Sequence, residues 1–444
     1  MLFKRCAGKG SYFAVDFACV FFSQLLYGMY PWSSPPKNTA FSIDNLPFGV
    51  FSTVKDPTPR IGVALGNWVI NLQQFVNLEL LHDLGFDEET LLEQNLNAFA
   101  ALGKDPRQKV RRRIQEIFME PKPPFKDFEE VVLVPMEAAQ MHLPVHIGDY
   151  TDFYSSEDHA TNVGKMFRDP ANALLPNWKH LPVAYHGRAS SITVSGTPFH
   201  RPQGQTRPDP EKPPVFGPTK RLDFELEVAA IIGQPTRLGE SVEAGMAEDH
   251  LFGFVLFNDW SARDIQTWEY VPLGPFLAKN FFSSMSPWVI TPEALEPFRV
   301  QGPVQHPPVL PYLQCGGARH FDIPLEVVLT TNGQKQETVI SRSNFKYLYW
   351  SVAQQIAHHT VNGCNLNAGD VLASGTISGP DKGSFGSMLE LTWGGKEPLA
   401  LADGSTRAFI EDGDTVTLRA VAQKGDICVG FGAVSNKVLP VRTV

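Results

Sequence analysis

Cysteine is scarce in this 444-residue chain, and its pattern argues against two kinds of stabilised fold. The five cysteines are odd in number, and no two of them form a C-x-x-C motif. A disulfide framework needs paired cysteines, and a zinc site usually shows closely spaced ones. We therefore expect free thiols, no zinc site and a reducing compartment, the cytosol.

The chain also lacks an excess of basic residues. Its 38 lysines and arginines are outnumbered by 47 acids, and the net charge is −9. Nucleic-acid-binding domains usually carry the opposite charge, because phosphate backbones select it. We expect no nucleic-acid partner. No P-loop, H-E-x-x-H or G-x-S-x-G motif occurs, and no G-x-G-x-x-G follows a strand, which argues against nucleotide-dependent and serine-hydrolase chemistry.

A long uninterrupted apolar run is missing as well. Near the N-terminus an apolar stretch from Tyr12 to Tyr30 follows basic residues, but Asp16 and Gln24 interrupt it. A membrane helix needs about 20 continuous apolar residues, and a signal peptide needs an unbroken apolar core of about 7 to 15. We expect no membrane partner. Residues 1–40 are interpreted as a disordered extension, with a signal peptide as the less favoured alternative.

Turn-forming and ring residues, in contrast, are abundant. The chain contains 36 glycines, 36 prolines and 31 phenylalanines, which favours many short strands joined by irregular loops. After a Pro-rich joint, short alternating strands predict a small β-barrel. Residues 80–119 show apolar residues at helical spacing, which predicts half-buried helix. From about Leu143 onward the sequence becomes rich in glycine, proline and aromatic residues, and we predict a larger, mainly β second domain.

Four strands are predicted in this second part, at residues 222–232, 251–258, 325–331 and 415–421. The first contains the segment LDFELEV, in which apolar and acidic residues alternate. Because strand side chains repeat every two residues, Asp223, Glu225 and Glu227 share one face. Carboxylates this close repel one another, and a hard cation would resolve the repulsion. An ordinary strand with a polar outer face is the alternative.

A mixed polar stripe follows the next predicted strand. Asp259 is a plausible helix N-cap, and Arg263, Gln266 and Tyr270 follow it at helical spacing. An acid, a cation, an amide and a phenol on one face fit a pocket wall that binds a polar anionic ligand. A solvated helix face with an Asp cap is the alternative interpretation.

A third group of polar residues occupies a short aromatic loop. The segment GDYTDFYSSEDH contains Asp152, Tyr154 and His159, and Arg168 follows shortly after it. Histidine titrates near neutral pH, so a histidine near a metal-bound water is a natural general base. A lone loop histidine is more often a surface hydrogen-bonding residue, and spacing alone does not decide between the two.

Six motifs together resemble the fumarylacetoacetate hydrolase family. They are long and specific, and they occur in this order along the chain: GDYTDFYSS-x-x-HATNVG, LPVAYHGRASS, DFELE, NDWSARDIQ-x-WEYVPLGPFLAK, HHTVNGCNL and LASGTISGP. The resemblance runs from about Phe41 to the C-terminus. It implies an α+β chain that is mainly β, with an SH3-like N-terminal barrel in residues 41–143 and a mixed β-roll catalytic domain in residues 144–444.

The resemblance also implies an activity and an assembly. The expected enzyme is a cytosolic homodimer that hydrolyses a carbon–carbon bond of 4-fumarylacetoacetate, giving fumarate and acetoacetate in the last step of phenylalanine and tyrosine breakdown. Matching positions imply a catalytic calcium held by Asp152, Glu225, Glu227 and Asp259. Oxygen ligands of this kind are those that calcium and magnesium prefer.

Further roles follow from the same matching. His159 would be the general base and Glu390, in SMLEL, the acid that orients it. Arg263 and Lys279 would stabilise the departing carbanion. The residues implied for substrate binding are Tyr154, Arg168, Gln266, Tyr270 and Thr376.

A second ion, a structural magnesium, is implied near Lys279 and Ser283. Here the chain departs from the family, because Phe282 and Ser283 stand where the family has a Gly-Thr pair. Ser283 keeps a hydroxyl, whereas Phe282 replaces a glycine whose backbone approaches the ion. The second site is therefore less secure than the first.

Two alternative functions remain open at this point. One is a superfamily relative that acts on another β-keto or enol acid, such as an acylpyruvate hydrolase, although such enzymes generally lack the N-terminal barrel. The other is a binding protein that keeps the fold without the activity. That alternative predicts loss of the base or of a metal ligand, yet His159, Glu390 and the four acids are all present.

Overall fold

The computed structural model describes residues 39–442. The predicted N-terminal extension therefore lies outside the described residues, apart from Thr39 and Ala40. The described part is built mainly from short strands and contains few long helices. This is the composition of elements expected from the abundance of glycine, proline and phenylalanine.

Twenty-five strands form the sheets of the described chain. Those of the first half are β1 Phe48–Thr53, β2 Arg60–Leu65, β3 Trp68–Asn71, β4 Leu133–Pro135, β5 Ala139–His142, β6 Tyr150–Phe153, β7 Ala184–His186, β8 Ile192–Val194, β9 Phe199–His200, β10 Gln203–Thr206, β11 Val215–Pro218, β12 Leu222–Asp223 and β13 Leu226–Ile232. Those of the second half are β14 Leu251–Asp259, β15 Ser261–Ala262, β16 Ser283–Met285, β17 Arg299–Val300, β18 His320–Phe321, β19 Pro324–Thr330, β20 Glu337–Asn344, β21 Val371–Ala373, β22 Leu399–Ala400, β23 Thr406–Arg407, β24 Thr415–Lys424 and β25 Ile427–Leu439.

Nine α-helices are present within residues 39–442, and most are short. They are α1 Leu72–Asn77, α2 Asn97–Ala101, α3 Lys104–Met119, α4 Glu129–Val132, α5 Glu157–Phe167, α6 Arg263–Glu269, α7 Pro292–Leu295, α8 Val352–Thr360 and α9 Met388–Leu391. Several single turns of 3-10 helix connect other elements. No described helix is both long and apolar enough to cross a membrane.

The N-terminal part is a five-stranded antiparallel sheet in the order β4-β3-β2-β1-β5, and it forms a half-barrel. The helical segment predicted at residues 80–119 is present but interrupted. Two 3-10 turns precede α2 and α3, and Gly103 separates the two helices with a positive φ of 85°. A left-handed residue cannot continue an α-helix, and glycine adopts it at least cost.

The centre of the larger part is a seven-stranded mixed sheet in the order β7-β6-β21-β13-β14-β16-β8. Strands β21 and β6 run parallel, as do β16 and β8, and the remaining pairs are antiparallel. Every residue of β14 is buried, which explains its nearly continuous apolar sequence LFGFVLFND. The strand predicted at 251–258 is therefore confirmed.

A second mixed sheet has the order β20-β19-β24-β25-β9. In β24 buried and part-exposed residues alternate, so this strand covers the core with one face only. The strands predicted at 325–331 and 415–421 correspond to β19 and β24. The strand predicted at 222–232 is interrupted, because β12 ends at Asp223 and β13 begins at Leu226.

Two large apolar clusters pack on opposite faces of the central sheet. Val228 and Ala230 of β13 belong to the cluster shared with the second sheet. Their neighbours Ala229 and Ile231 belong to the cluster shared with the half-barrel. The predicted fold class is confirmed: the chain is α+β, consists mostly of strands, and contains curled sheets and an N-terminal half-barrel. A domain boundary at residues 143 and 144 stays a prediction.

Candidate metal centre and active site

Three of the predicted metal-binding acids lie on one face of the central sheet. Asp152, Glu227 and Asp259 lie on β6, β13 and β14, and each is two residues away from a buried apolar residue such as Ala229 or Phe257. Because strand side chains repeat every two residues, the acids point to the same side as this apolar cluster, just beyond its edge. Neighbouring strands thus bring together residues that are far apart in sequence.

Glu225 completes a buried four-acid cluster. Glu225 lies between β12 and β13, and its backbone forms an isolated β-bridge with Ser387. One carboxylate oxygen from each of Asp152, Glu225, Glu227 and Asp259 can be chosen so that all four lie within 4.8 Å of one another. The structure therefore assembles the predicted set, in which each residue offers the oxygen ligands that hard divalent cations prefer.

Two buried cations neutralise part of this negative charge. The Lys279 ammonium contacts a Glu225 oxygen and lies 2.8 Å from Asp259 Oδ2. Arg263 Nη1 lies 2.9 Å from Glu225 Oε1. Burial opposes ionisation of Glu225, but attraction to Lys279 and Arg263 outweighs it and lowers its pKa to about 2. If all six groups are ionised, four acids and two cations leave a net charge of −2.

The uncompensated charge lies on Asp152 and Glu227. Burial, followed by repulsion from neighbouring acids, raises the pKa of both carboxyls well above the ordinary range. Asp152 Oδ1 and Glu227 Oε1 are buried and have no hydrogen-bond partner in the described part of the chain. Buried polar atoms without a partner are costly and rare. A divalent cation would supply both the missing partner and the missing charge, so these residues fit a hard metal ion.

A glycine backbone contacts the second carboxylate oxygen of Glu227. The Gly375 N–H donates to Glu227 Oε2 at 3.0 Å, and Gly375 has a φ of 76°. A Cβ at this position would lie 2.2 Å from the carbonyl oxygen of Phe153. Only glycine fits both the left-handed backbone and this close approach. Thr376, one of the predicted substrate residues, is buried directly after it.

The predicted base and its orienting acid are in direct contact. Helix α5 begins after Ser156, whose hydroxyl accepts from the His159 backbone N–H, so His159 lies in the first turn. His159 Nδ1 is 2.7 Å from Glu390 Oε2, and both side chains are buried. Since the carboxylate accepts the Nδ1 proton, Nε2 is left as the acceptor nitrogen of the neutral ring.

Glu390 is held as a carboxylate by several donors. Asn162 Nδ2 donates to Oε1 at 3.0 Å, the Ser387 hydroxyl donates to Oε2 at 2.8 Å, and the Ser378 hydroxyl lies 2.9 Å from both oxygens. Burial alone would raise the pKa of Glu390, but attraction to His159 and these hydrogen bonds lower it. An ionised Glu390 accepts the Nδ1 proton and so fixes the orientation of the His159 ring.

Arg263 faces the same site from the start of α6. Its Nε donates to Asp223 Oδ2 at 2.8 Å, and its Nη1 lies 3.3 Å from Gln266 Oε1. Nη2 is buried and has no hydrogen-bond partner within residues 39–442. The guanidinium therefore has one free donor beside the acidic cluster.

The remaining predicted substrate residues lie at different depths. The Tyr154 ring meets the His159 ring edge-on, with centroids 5.3 Å apart. Tyr270 follows α6 and is 51% exposed. Arg168 follows α5, is exposed, and donates through Nη2 to the carbonyl oxygen of Ala173 at 2.6 Å. The structure thus places Tyr154 beside the base, whereas Arg168 and Tyr270 lie at the protein surface.

The predicted second-ion residues both contact Asp259. The Ser283 hydroxyl donates to Asp259 Oδ1 at 2.6 Å, and Lys279 donates to Oδ2. Phe282 is buried and stacks on Phe199, with ring centroids 4.4 Å apart. Within residues 39–442 no second group of three or more acid, histidine or cysteine ligands is found.

Two predictions about individual acids are wrong. Asp259 is not a helix cap, because β14 extends through it and α6 begins only at Arg263 after Ala262. Asp223 does not join the other acids of its alternating segment. The break between β12 and β13 turns its carboxylate toward Arg263 and the start of α9.

Some residues of the site were not selected from sequence. The Tyr185 hydroxyl lies 3.1 Å from Asp259 Oδ2, and Asn162, Ser378 and Ser387 surround Glu390. Ser387 could have been found from sequence, because S-x-x-E is the sequence pattern of a helix capping box. In the structure the Ser387 hydroxyl accepts from the Glu390 N–H. Tyr185, Asn162 and Ser378 lie on a strand, a helix and a loop, and no short motif links them to their partners.

Comparisons with known proteins agree with this fold. Residues 149–439 match the family model of the fumarylacetoacetate (FAA) hydrolase C-terminal domain, and residues 44–144 match that of the fumarylacetoacetase N-terminal domain. A fumarylacetoacetate hydrolase from the psychrophilic Exiguobacterium antarcticum shares the fold, with a TM-score of 0.50 and 19% identity, over 89% of this chain and 100% of that one.

Full-length relatives are much more similar. Fumarylacetoacetase from Homo sapiens is 51% identical over 407 residues, which cover 91% of this chain and 97% of the human protein. The fumarylacetoacetase of Arabidopsis thaliana is 49% identical over 408 residues, with the same coverage of both chains.

Fold, acidic cluster and family models together define a hydrolase that acts on carbon–carbon bonds. Within that class the full-length similarity is more specific. The chain belongs to the fumarylacetoacetase family.

Proposed function

We propose that this enzyme hydrolyses the carbon–carbon bond of 4-fumarylacetoacetate to fumarate and acetoacetate, the final step of phenylalanine and tyrosine breakdown. The main supporting observation is the buried four-acid cluster next to the His159–Glu390 pair. The full-length fumarylacetoacetase relatives support the choice of substrate. A superfamily relative with another β-keto acid substrate is less well supported, because the fumarylacetoacetase N-terminal domain is also matched.

Calcium is the metal that we propose for the acidic cluster, with Asp152, Glu225, Glu227 and Asp259 as its protein ligands. The two oxygens without a hydrogen-bond partner within residues 39–442 and the excess of acids over cations in the cluster support a divalent ion. Calcium accepts several carboxylates in flexible geometry, whereas magnesium requires a strict octahedron and retains water. When bound, such an ion supplies Lewis-acid chemistry that polarises a carbonyl oxygen.

His159 is the general base in this proposal. Its Nδ1 proton is held by Glu390, so Nε2 can accept a proton from the attacking water. The imidazolium formed in this way is stabilised by the buried Glu390 carboxylate, which keeps its charge. The Tyr154 ring packs edge-on against His159 and restricts the orientation of the imidazole.

Arg263, Lys279 and Gln266 stabilise the leaving group. As the carbon–carbon bond breaks, its electron pair remains with the acetoacetate fragment as an enolate. The free Nη2 donor of Arg263 can bond to this developing charge without losing an existing partner. Lys279 is buried between two acids. Burial alone would lower its pKa, but attraction to Asp259 and Glu225 outweighs this and raises the pKa, so Lys279 stays a cation during the reaction.

The substrate itself carries two carboxylates, and the proposal assigns five residues to its binding. Tyr154, Gln266 and Thr376 lie in the inner part of the site, whereas Arg168 and Tyr270 lie at the surface. We propose that Arg168 exchanges its contact with the Ala173 carbonyl for a substrate carboxylate. A guanidinium–carboxylate pair is the stronger interaction of the two.

A second ion, a structural magnesium, is proposed near Lys279 and Ser283. The Ser283 hydroxyl is the only side-chain oxygen in this pair, and it already donates to Asp259. Buried Phe282 stacks on Phe199 beside it. An ion here would therefore require backbone oxygens and water, which are common magnesium ligands.

A cytosolic homodimer is the proposed form of the enzyme. The three cysteines within the described residues, Cys315, Cys364 and Cys428, are all free thiols, which suits a reducing compartment. Apolar side chains are exposed next to α6, including Leu273 and Phe276, and such patches commonly mark a protein interface.

The proposal is tested by following the diketone absorbance of fumarylacetoacetate with purified protein. We expect turnover that stops after complete removal of the metal with a chelator and returns when calcium is added. Acylpyruvates serve as competing substrates in the same assay. Activity that survives complete metal removal, or a preference for an acylpyruvate, would contradict the proposal.

A further inference from the structure

Asp223 is a buried acid that the proposed mechanism does not use. It is the last residue of β12 and has no exposed surface. Its Oδ2 accepts from Arg263 Nε at 2.8 Å and from the Leu389 backbone N–H at 3.0 Å, and its Oδ1 accepts from the Met388 N–H at 2.6 Å. Three donors from two separate elements therefore converge on one carboxylate.

These contacts require the ionised form of Asp223. Both oxygens face N–H groups, so a proton on either oxygen would point at a donor. Charge-assisted hydrogen bonds of this type are shorter and about twice as strong as neutral ones. The carboxylate thus makes a rigid connection between its partners.

The two partners carry different parts of the catalytic machinery. Arg263 opens α6, contacts Glu225 through Nη1, and its Nη2 is buried without a partner within residues 39–442. Met388 and Leu389 begin the four-residue helix α9 that contains Glu390. Glu390 in turn holds His159. Asp223 therefore lies where the guanidinium and the base-orienting helix can be fixed relative to each other.

We propose that Asp223 is a positioning residue of the reaction, which aims the Arg263 donor and sets the place of Glu390, and through it His159. It does not contact the four-acid cluster except through Arg263, which also reaches Glu225. This inference rests on the roles that the proposed function gives to Arg263 and His159. It predicts an effect on turnover that exceeds any effect on metal binding.

Asparagine is the informative replacement. It keeps the shape of the side chain but offers one acceptor oxygen, so its amide N–H₂ must face at least one of the three donors. Asp223→Asn should therefore release either Arg263 or the start of α9. Small displacements of reacting groups cost up to about a hundredfold in rate, and we expect kcat to fall by about tenfold to a hundredfold.

The chain contains a matched control in Asp414. This acid is also fully buried, pairs with Arg407 at 2.8 Å and accepts from the backbone N–H groups of Glu411 and Asn332. Its partners all lie outside the site. Asp414→Asn removes the same kind of charge from the same kind of environment, so it reports the general cost to stability and should leave kcat unchanged.

For each variant, kcat, KM, calcium affinity and melting temperature are measured. We expect Asp223→Asn to lower kcat while KM and calcium affinity change by less than about threefold, since Arg263 acts on charge that develops in the transition state. If Asp223→Asn does not fold, Asp223→Ser is used, because it keeps one acceptor and leaves room for water. A variant of Asp223 that matches Asp414→Asn in every measurement would overturn the inference.

Double-mutant cycles separate positioning from general damage. If Asp223 acts through its partners, Asp223→Asn adds little to the loss caused by Arg263→Lys or by Glu390→Gln. Additive losses in both cycles would also overturn the inference. If Arg263→Lys and His159→Ala themselves leave turnover of fumarylacetoacetate intact, the proposed function fails. If they abolish it while Asp223→Asn does not lower it, only this inference fails.

Discussion

Calcium binding to the acidic cluster should release protons. Asp152 and Glu227, the two acids of the cluster without an ion-pair partner within residues 39–442, have pKa values raised well above the ordinary range by burial and by repulsion from neighbouring acids. Without metal they therefore hold protons at pH values where free carboxyls are ionised. Since metal ligands must be deprotonated, binding displaces these protons.

The magnitude follows from the number of displaced protons. Each one makes the apparent affinity rise about tenfold per pH unit, or about 1.4 kcal/mol, below the raised pKa values. Two protons give about a hundredfold per pH unit. The dependence should hold at pH values below the raised pKa values and should level off once Asp152 and Glu227 are ionised without metal.

Isothermal titration calorimetry measures both quantities. Calcium is titrated in two buffers that differ in ionisation enthalpy and do not bind calcium, and the difference in heat counts the released protons. Asp414→Asn, which alters a buried acid outside the cluster, should behave like the unmodified enzyme. A calcium affinity that is independent of pH across this range, with no proton release, would refute the charge assignment.

The same linkage predicts how the metal-free protein responds to pH. A carboxyl with a raised pKa in the folded state contributes stability that is fully present below its unfolded pKa of about 4 and is lost as pH rises through the folded value. The melting temperature of metal-free enzyme should therefore fall toward neutral pH. Added calcium should raise it more at pH 8 than at pH 5, which differential scanning calorimetry can measure.

Three further outcomes are expected. Glu227→Ala should abolish calcium binding in calorimetric titration, since it removes one of four anionic ligands, and unchanged affinity would make Glu227 a structural residue. His159→Ala should lower kcat by about 10² to 10⁴-fold while calcium and substrate affinity are retained. Glu390→Gln should show a smaller loss of kcat. If His159→Ala instead lost calcium, His159 would be a metal-positioning residue. Sedimentation should report about twice the chain mass, and a clean monomer at micromolar concentration would contradict the homodimer.

Local pattern was sufficient for the strands predicted at residues 251–258, 325–331 and 415–421. Alternation in the segment from Leu222 to Val228 placed its apolar residues in one core cluster, as the structure confirms. That success has a simple cause, because the two-residue period of a strand is a property of the backbone and needs no partner. The family motifs likewise pointed to His159 and Glu390 before their contact was visible.

Alternation could not show where a strand would break. Asp223 and Glu225 are on the same side of the pattern, yet the gap between β12 and β13 sends Asp223 to Arg263 and leaves Glu225 with the acidic cluster. Likewise, Asp259 had the spacing of a helix cap, but pairing of β14 with β16 carried the strand through it. Both outcomes depend on neighbours that are distant in sequence.

By itself, then, the sequence determined the fold class, the family and the types of side chain available for chemistry, because these follow from composition, short-range periodicity and ordered motifs. Only the tertiary structure decided which of the charged groups meet. Asp152 joins Glu227 through the pairing of β6, β21 and β13, and Lys279 reaches both Glu225 and Asp259. Charge interactions depend on distance and burial, and both are set by chain segments that pack together only in the folded protein.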